Sequence, residues 1–436
     1  MRASIDSAQR FLGYAPSVLR GGFGDCALVF RLGYATTRNV NIVFQEPPSW
    51  YTIEGMRILR SAQFSAIALL IAAIAGLTIA NSPLGPGVAE LRDVHPGAVF
   101  GLDLSLGHWV TDGLLAVFFF LAAIELKHEL RHGELDSPRK AFVPVVAAVG
   151  GVIVPALLFL ALVPDADMKT GWPIPTATDI AFALGVLAIV GKALPSRVRA
   201  LLLALAVIDD LIAILIIALV FPGELQPVAL LLAIPVILVF GLLSYRIRSG
   251  NRFVIVPAMI VLGLAAWVLV AISGIHPTIA GVALGLILAS RRGEKVRHVL
   301  EPWSNVIVLP IFAFVATLVV LPDLSTAPLG PIFWAILIAL PVGKLIGITG
   351  GALLARALSG RREANPIPVG DLLTVAALGG IGFTVSLLMN ELAFEENRMH
   401  ATEGTLGVLA GSIISMIIGG VVGALRSRWY ARQRAA

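Results

Sequence analysis

Residues 198–220 read VRALLLALAVIDDLIAILIIALV, and only Arg199, Asp209 and Asp210 among them carry charge. A helix needs roughly 20 mostly apolar residues to cross the hydrocarbon of a bilayer. This stretch is long enough, and it is apolar all round, which suits burial in lipid rather than one wet face. Comparable runs lie near Phe64–Ala80, Trp109–Leu126, Phe142–Val163, Pro173–Val190, Gln226–Leu243 and Phe253–Ala271. They continue at Thr278–Ala289, Val306–Leu321, Pro331–Leu354, Val369–Leu392 and Gly404–Leu425. The chain has 436 residues, 58% hydrophobic and 14% charged. Soluble domains are about 25% charged. An ordinary soluble enzyme is excluded, and an all-α polytopic membrane protein with twelve transmembrane helices is expected.

One cysteine, Cys26, rules out a disulfide framework, a cysteine metal cluster and CxxC redox chemistry. No GxxxxGK[ST] loop is present, so the chain carries no nucleotide site of that kind to drive transport. The net charge of +5 is explained by membrane topology rather than by nucleic acid. Alternate loops hold Arg57/Arg60, Lys127/Arg131/Arg139/Lys140, Lys192/Arg197/Arg199 and Arg246/Arg248/Arg252. The same side takes Arg291/Arg292/Lys295/Arg297, Arg356/Arg361/Arg362 and the tail Arg426/Arg428/Arg432/Arg434. The intervening loops hold only Arg92, Lys169 and Arg398. Lys and Arg concentrate on the cytoplasmic side, so both termini are expected there, as an even number of spans requires.

Residues 1–55 differ from the rest, with scattered arginines and glycines and only short apolar runs. They read as an N-terminal extension, disordered or belonging to an over-extended start, ahead of a membrane domain over 56–436. Between the first two spans, AVFGLDLSLGHW (98–109) alternates apolar and polar residues about Gly101. That pattern predicts a small extramembrane β-hairpin. A lone hairpin is marginal in water, so pairing with a second copy through residues 98–107 is expected, against the alternative of an irregular loop.

Ionisable side chains at membrane depth mark pathways, relays or ligand sites. Asp209 and Asp210 sit half-way along their span. Neighbouring helix positions project about 100° apart, so one carboxylate is expected to face a cavity and the other a partner on a neighbouring helix. Both are expected to carry protons and to respond to a bound cation, with a purely structural pair as the alternative. Lys344, in WAILIALPVGKLIGITGG, is the one basic residue deep inside an expected span, Arg199 standing at the edge of its own, and Asp209 is its first candidate partner. Gly343, Gly347 and Gly351 recur every four residues beside it, which allows close backbone approach.

Asp179 follows Pro173 and Pro175 in GWPIPTATDIAFALGVLAIVG, where Thr176 and Thr178 add hydroxyls. It stands where a half-helix begins, so it is expected to cap that end and offset its dipole, and to balance charge near a transported ion. The eleventh apolar run carries Gly379, Gly380 and Gly382 at its centre. Each glycine alone is also consistent with packing. A proline break and a glycine break in corresponding thirds of the two halves point to an inverted-repeat transporter with two discontinuous crossing helices.

Asp112 lies at the outer start of the second span, and Glu125 and Glu129 at its inner end. They are expected either to line an ion funnel or to meet interfacial water. His276 in SGIHPTIAG reads as a loop-packing residue. His298 in RRGEKVRHVLEPW is a pH-response candidate, in what reads otherwise as a solvated charged loop.

These segments resemble a known family. PTATDIAFALGVLAIVG, LALAVIDDLIAILIIAL, VTDGLLAVFFFLAAIELKHEL, GIHPTIAGV and LGGIGFTVS, with VGKLIGI around Lys344, are similar to the corresponding parts of NhaA-type sodium/proton antiporters. Those antiporters are among the transporters from which the broken-helix rule is drawn. The resemblance runs from about Met56 to the C-terminus. It implies a twelve-helix inner-membrane exchanger, without a cofactor, that exports Na⁺ or Li⁺ against protons and works as a homodimer. In the family the aspartate matching Asp210 binds the ion. The one matching Asp209 pairs with the lysine matching Lys344, and residues like Asp179 and Thr178 sit at the helix crossing. The segment like AVFGLDLSLGHW forms a dimerising hairpin. The chain departs from the family at Arg297-His298 and Glu301, where a Glu-His pair and a second His are usual. It departs again at FAFVATL, where Val315 replaces an Asn.

Electrogenic, pH-regulated antiport by alternating access is therefore expected. An intramembrane aspartyl protease also needs two buried acids, but its dyad shares a proton between separate helices. Asp209 and Asp210 are adjacent, and no GxGD sequence is present. A passive channel is the stronger rival on physical grounds.

Overall fold

With no water in hydrocarbon, a backbone N–H must find its carbonyl within its own segment, and a helix does so locally. The computed structural model describes residues 61–97, 102–133, 135–221, 225–247, 250–322, 329–359 and 367–435. The extension expected over 1–55 lies outside them. Among the described residues there are helices and no strands. In chain order they are α1 (Ala62–Ala80), α2 (Gly85–Asp93), α3 (Leu106–His132), α4 (Pro138–Leu162), α5 (Ile180–Val190), α6 (Ser196–Val220) and α7 (Pro227–Arg246). There follow α8 (Arg252–Ile272), α9 (Thr278–Ile287), α10 (Ser290–Ala316), α11 (Pro331–Leu358), α12 (Val369–Gly379), α13 (Phe383–Ala393) and α14 (Arg398–Ala435).

Nine of these are long and apolar enough to cross a membrane: α1, α3, α4, α6, α7, α8, α10, α11 and α14. Two bent helix pairs have, taken together, the length and composition of one further span each. The turns over Asp167–Thr176 meet α5 at 41°, and α12 meets α13 at 46°. The apolar helix α9 has only 10 residues. Large apolar side chains such as Ile71, Leu219, Leu242 and Phe253 point outward. On a bilayer-embedded surface these are the groups that meet acyl chains.

Local chemistry sets the helix ends. Ser61 accepts from Phe64 N (3.3 Å) at the start of α1. Prolines open α4, α7 and α11, where a missing N–H costs nothing. Inside α11, Pro341 cannot donate, and the helix widens into a π-turn over Ala339–Gly343 immediately before Lys344. Just beyond, α11 presses its backbone onto α4. A Cβ at Gly347 would strike the Gly150 carbonyl, and one at Gly351 the Val146 carbonyl. This contact fixes the height of Lys344 within the bundle.

Three expectations need correction. Residues 98–101 of the expected hairpin lie outside the described residues; of its second arm, Leu102 makes an isolated β-bridge and the end is helical. Leu106–His108 is helical because Ser105 accepts from His108 N (3.3 Å), and Leu106 N donates to Val94 O (2.9 Å). The run RRGEKVRHVLEPW is not a loop but the first half of α10, a helix with one charged face that leads directly into the span. The apolar run expected over Val306–Leu321 ends as helix at Ala316, where Thr317 N bonds back to Ala313 O (3.1 Å).

Candidate functional site

The two breaks in the helices are hydrogen-bonded to each other. Pro173 and Pro175 lack N–H groups, so the chain there forms short 3₁₀ turns, including Ile174–Thr176, before extending through Ala177–Asp179. On the other side α12 ends at Gly379, and α13 restarts at Phe383 after Gly380–Gly382. Asp179 N donates to Ile381 O (2.6 Å). Ser386 Oγ donates to Ile174 O (2.7 Å), and Phe383 N donates to Ser412 Oγ (3.2 Å). The backbone freed from helical bonding is thus satisfied inside protein. Gly380 and Gly382 have no room for a Cβ, which would meet Ser415 Oγ and Ser386 Oγ respectively.

Asp179 is buried at the centre of this junction. Its Oδ1 accepts from Phe182 N (3.0 Å), capping α5. Its Oδ2 accepts from Thr384 N (3.2 Å) and Thr384 Oγ1 (2.6 Å) in the first turn of α13. One carboxylate therefore faces the positive ends of two half-helices.

Beside it lies an ion pair. Lys344, 0% exposed, places Nζ 2.7 Å from Asp209 Oδ2 and 3.0 Å from Thr178 Oγ1. Thr178 Oγ1 is also 2.6 Å from Asp209 Oδ2 and 2.7 Å from Gly379 O. The hydroxyl has one proton and two acceptors within reach, so it donates to one of them while accepting from Lys344. Asp209 Oδ1 is buried with no hydrogen-bond partner.

Asp210 is buried as well, and makes no hydrogen bond or ion pair with the described residues. It is within electrostatic reach of Asp209, Asp179, Glu125 and Lys344. The geometry thus separates the adjacent aspartates by one helical step, with Asp209 on the lysine and Asp210 off it. The donors available to a hard cation are the Asp210 carboxylate, Asp209 Oδ1 and the Thr178 hydroxyl, all oxygens.

The residues grouped as funnel or pH-response candidates fall in two places. Glu125 pairs with Arg297 Nη1 (3.2 Å), and Arg297 Nε lies 4.0 Å from Glu301. Glu129 is buried one turn further along α3, and His298 is exposed on α10. Asp112 is at the opposite end of α3, in a π-turn over Trp109–Leu114. There its Oδ1 is 3.5 Å from His276 Nε2 and accepts from Thr111 Oγ1 (3.1 Å), while its carbonyl accepts from Trp267 Nε1 (3.2 Å). His276 therefore stands beside the Asp112 carboxylate and is not only a loop-packing residue. Gly274, at φ 79°, makes the turn that carries it. This end opens on a cavity of about 810 Å³ that Asp112, Asp167, His276, Glu395 and Glu396 help to line.

Sequence reasoning missed Thr384, Ser386 and Arg297. A hydroxyl in an apolar helix is ordinary, so Thr384 and Ser386 gave no signal. Arg297 was legible only as the neighbour of His298.

Comparison with known proteins follows the same lines. The sequence model of the family described as Na+/H+ antiporter 1 matches residues 56–422. A protein of Clavibacter michiganensis named Na(+)/H(+) antiporter NhaA 2 is 50% identical over 384 residues, 87% of this chain and 94% of the relative. The Na(+)/H(+) antiporter NhaA of Tropheryma whipplei is 46% identical over 368 residues, 83% of this chain and 94% of the relative. Na(+)/H(+) antiporter NhaA 3 of Streptomyces coelicolor is 43% identical over 392 residues, 85% of this chain and 80% of the relative. With a family match across most of its length and relatives at this identity, the chain belongs to the Na+/H+ antiporter 1 family.

Proposed function

We propose that this protein is a transporter, not an enzyme, which exchanges Na⁺ or Li⁺ for protons across the bacterial inner membrane by alternating access. The observation that carries the reading is a charge count at the buried junction. Asp179 is offset by two helix N-termini, and Lys344 neutralises one of the two remaining carboxylates. One negative charge is left, on the Asp209–Asp210 pair, and an unpaired charge in low dielectric costs several kcal/mol. A proton or a small monovalent cation removes that cost, and both together overshoot. The two species therefore compete for one site. Sodium binds through Asp210, Asp209 Oδ1 and Thr178, and displaces protons from the pair. For a cycle to move net charge, the Asp209–Lys344 pair must open in one half of it so that Asp209 takes a second proton, giving two protons for one cation.

In this reading the bent pairs and α9 each count as crossings beside the nine long helices, and the two broken helices cross at Asp179. Both termini face the cytoplasm. Glu125, Glu129, Arg297 and His298 line the cytoplasmic approach and tune the pH response, while Asp112 and His276 belong to the outer mouth. The segment near 98–107 contributes to a homodimer. No cofactor is required, since the transported ions are the substrates.

The test is a pH-jump fluorescence assay in proteoliposomes, with Na⁺, Li⁺ and K⁺ added in turn. Na⁺ and Li⁺ should collapse an imposed proton gradient, and Asp210→Asn should abolish the signal. Full activity in that variant would sink the assignment. Reversal potentials that ignore the proton gradient would favour a channel instead.

A further inference from the structure

A second cavity lies along α3 next to Glu125, which borders it through its ion pair with Arg297. Ile124, Lys127, His128, Arg131 and His132 follow the i, i+3, i+4, i+7, i+8 spacing and so share one stripe of that helix. The stripe forms one wall of a cavity of about 330 Å³. The facing wall is the first turns of α10, with Ser290, Arg291, Gly293, Glu294 and Arg297. The lining holds four basic side chains, Lys127, Arg131, Arg291 and Arg297, against one carboxylate, Glu294. Two histidine rings, His128 and His132, stand 5.6 Å apart at the same wall.

The cavity is built rather than incidental. Lys127 Nζ donates to Leu286 O (2.6 Å) and Leu288 O (2.7 Å), closing the carbonyl end of α9 and fixing the ammonium in place. Arg131 Nη1 donates to Ser290 Oγ (2.7 Å), which ties the two walls together without neutralising the guanidinium. Glu125 answers the charge of Arg297 from outside the lining. Like charges gathered this closely repel, and they invite a multivalent anion with several acceptor oxygens.

The position says which anion. Ile124 and Leu288 form the apolar floor, where the hydrophobic part of α3 gives way to its charged end. Leu130, Leu286 and Val299, each within two residues in sequence of a lining residue, are large, apolar and exposed. A ligand here has its charged group among arginines and an apolar surface running alongside, as a phospholipid has. We propose that this cavity binds the phosphate of an anionic lipid headgroup, holding the charged end of α3 against α10. The inference does not depend on the ion carried by the buried aspartates.

The full-length protein should be tested in nanodiscs of phosphatidylglycerol and of phosphatidylcholine, with bound lipid counted by native mass spectrometry and unfolding temperature recorded. Wild type should retain phosphatidylglycerol preferentially and melt higher in it. A juxtamembrane basic residue contributes about 1 kcal/mol to anionic lipid binding, so R131Q/R291Q should weaken retention by tenfold or more. R291Q alone, in an exposed residue, should give a smaller loss and guards against misfolding of the double variant. R252Q, on another helix, should change retention less than R291Q. Inorganic phosphate added in detergent separates the sources. If it raises the melting temperature of wild type but not of R131Q/R291Q, the same site takes free phosphate. Equal retention of the two lipids with no phosphate effect would overturn the proposal, as would equal losses in R252Q and R291Q.

Discussion

Thr384 donates twice to Asp179, through its hydroxyl at 2.6 Å and its backbone N–H at 3.2 Å, both to Oδ2. The other oxygen of Asp179 caps α5. One side chain therefore holds the first turns of both half-helices, and among the described residues Thr384 is the only side-chain donor to Asp179.

Removing the hydroxyl alone tests this. Thr384→Val keeps the shape and the backbone donor but leaves a buried carboxylate short of a charge-assisted bond, at a cost of about 1.5–3 kcal/mol. Thr384→Ser keeps the donor and should stay close to wild type. Thermal unfolding in detergent reads the difference, and identical melting of the Val and Ser variants would mean the hydroxyl is not holding the junction.

Lys344 and Asp209 are both fully buried at their side chains and 2.7 Å apart. Breaking such a pair from one side costs about 3–5 kcal/mol, because the survivor is stranded, whereas replacing both partners is far milder. Lys344→Met and Asp209→Asn should each lower the melting temperature sharply, and the double variant should recover much of the loss. A simple sum of the two single effects would show that the residues are not coupled.

The acidic and basic members of this site were readable in the sequence because charge is conspicuous in an apolar run. Asp209, Asp210, Asp179 and Lys344 could hardly be missed, and the 100° step separated the adjacent pair. What the sequence does not carry is the identity of partners whose chemistry is common. Thr384 is one hydroxyl among many. Glu125 meets Arg297 rather than His298 because a single helical step decides which of two neighbours faces it. The alternation in LDLSLGHW fits a strand equally well, until Ser105 finds the N–H of His108 and starts a helix. The glycine repeat around Lys344 announced a close approach but not its counterpart, Gly150.

That approach gives a sharp contrast between neighbouring glycines. At Gly347 a new methyl would meet the Gly150 carbonyl, whereas at Gly350 it would meet open space. Gly347→Ala should cost about 1–3 kcal/mol through overpacking, and should disturb Lys344 one turn away. Gly350→Ala should be neutral, or should gain up to about 1 kcal/mol from helix propensity. Melting temperatures of the two single variants suffice. Similar losses at both positions would mean that backbone flexibility, not the α4–α11 contact, is what these glycines supply.

Arg398 Nη2, at the start of α14, lies 3.0 Å from Asp93 Oδ2, and Arg92 Nε lies 3.2 Å from Asp93 Oδ1. Partial burial works against ionisation of Asp93, but the two guanidiniums outweigh it and hold its carboxyl below the usual carboxylate range. A carboxylate whose folded pKa is depressed contributes stability above its unfolded value, and that contribution is lost as pH falls through the folded one. Asp93 is 42% exposed and Arg398 76%, so solvent screening limits the pair to at most about 1 kcal/mol. Arg398→Gln should therefore lower the melting temperature slightly and equally from pH 6 to pH 8, less so in high salt. The gap between wild type and variant should close only in acid, below about pH 4, where the aspartate of the unfolded chain is also protonated. A gap that closed near neutral pH would assign the contact to a histidine rather than to Asp93.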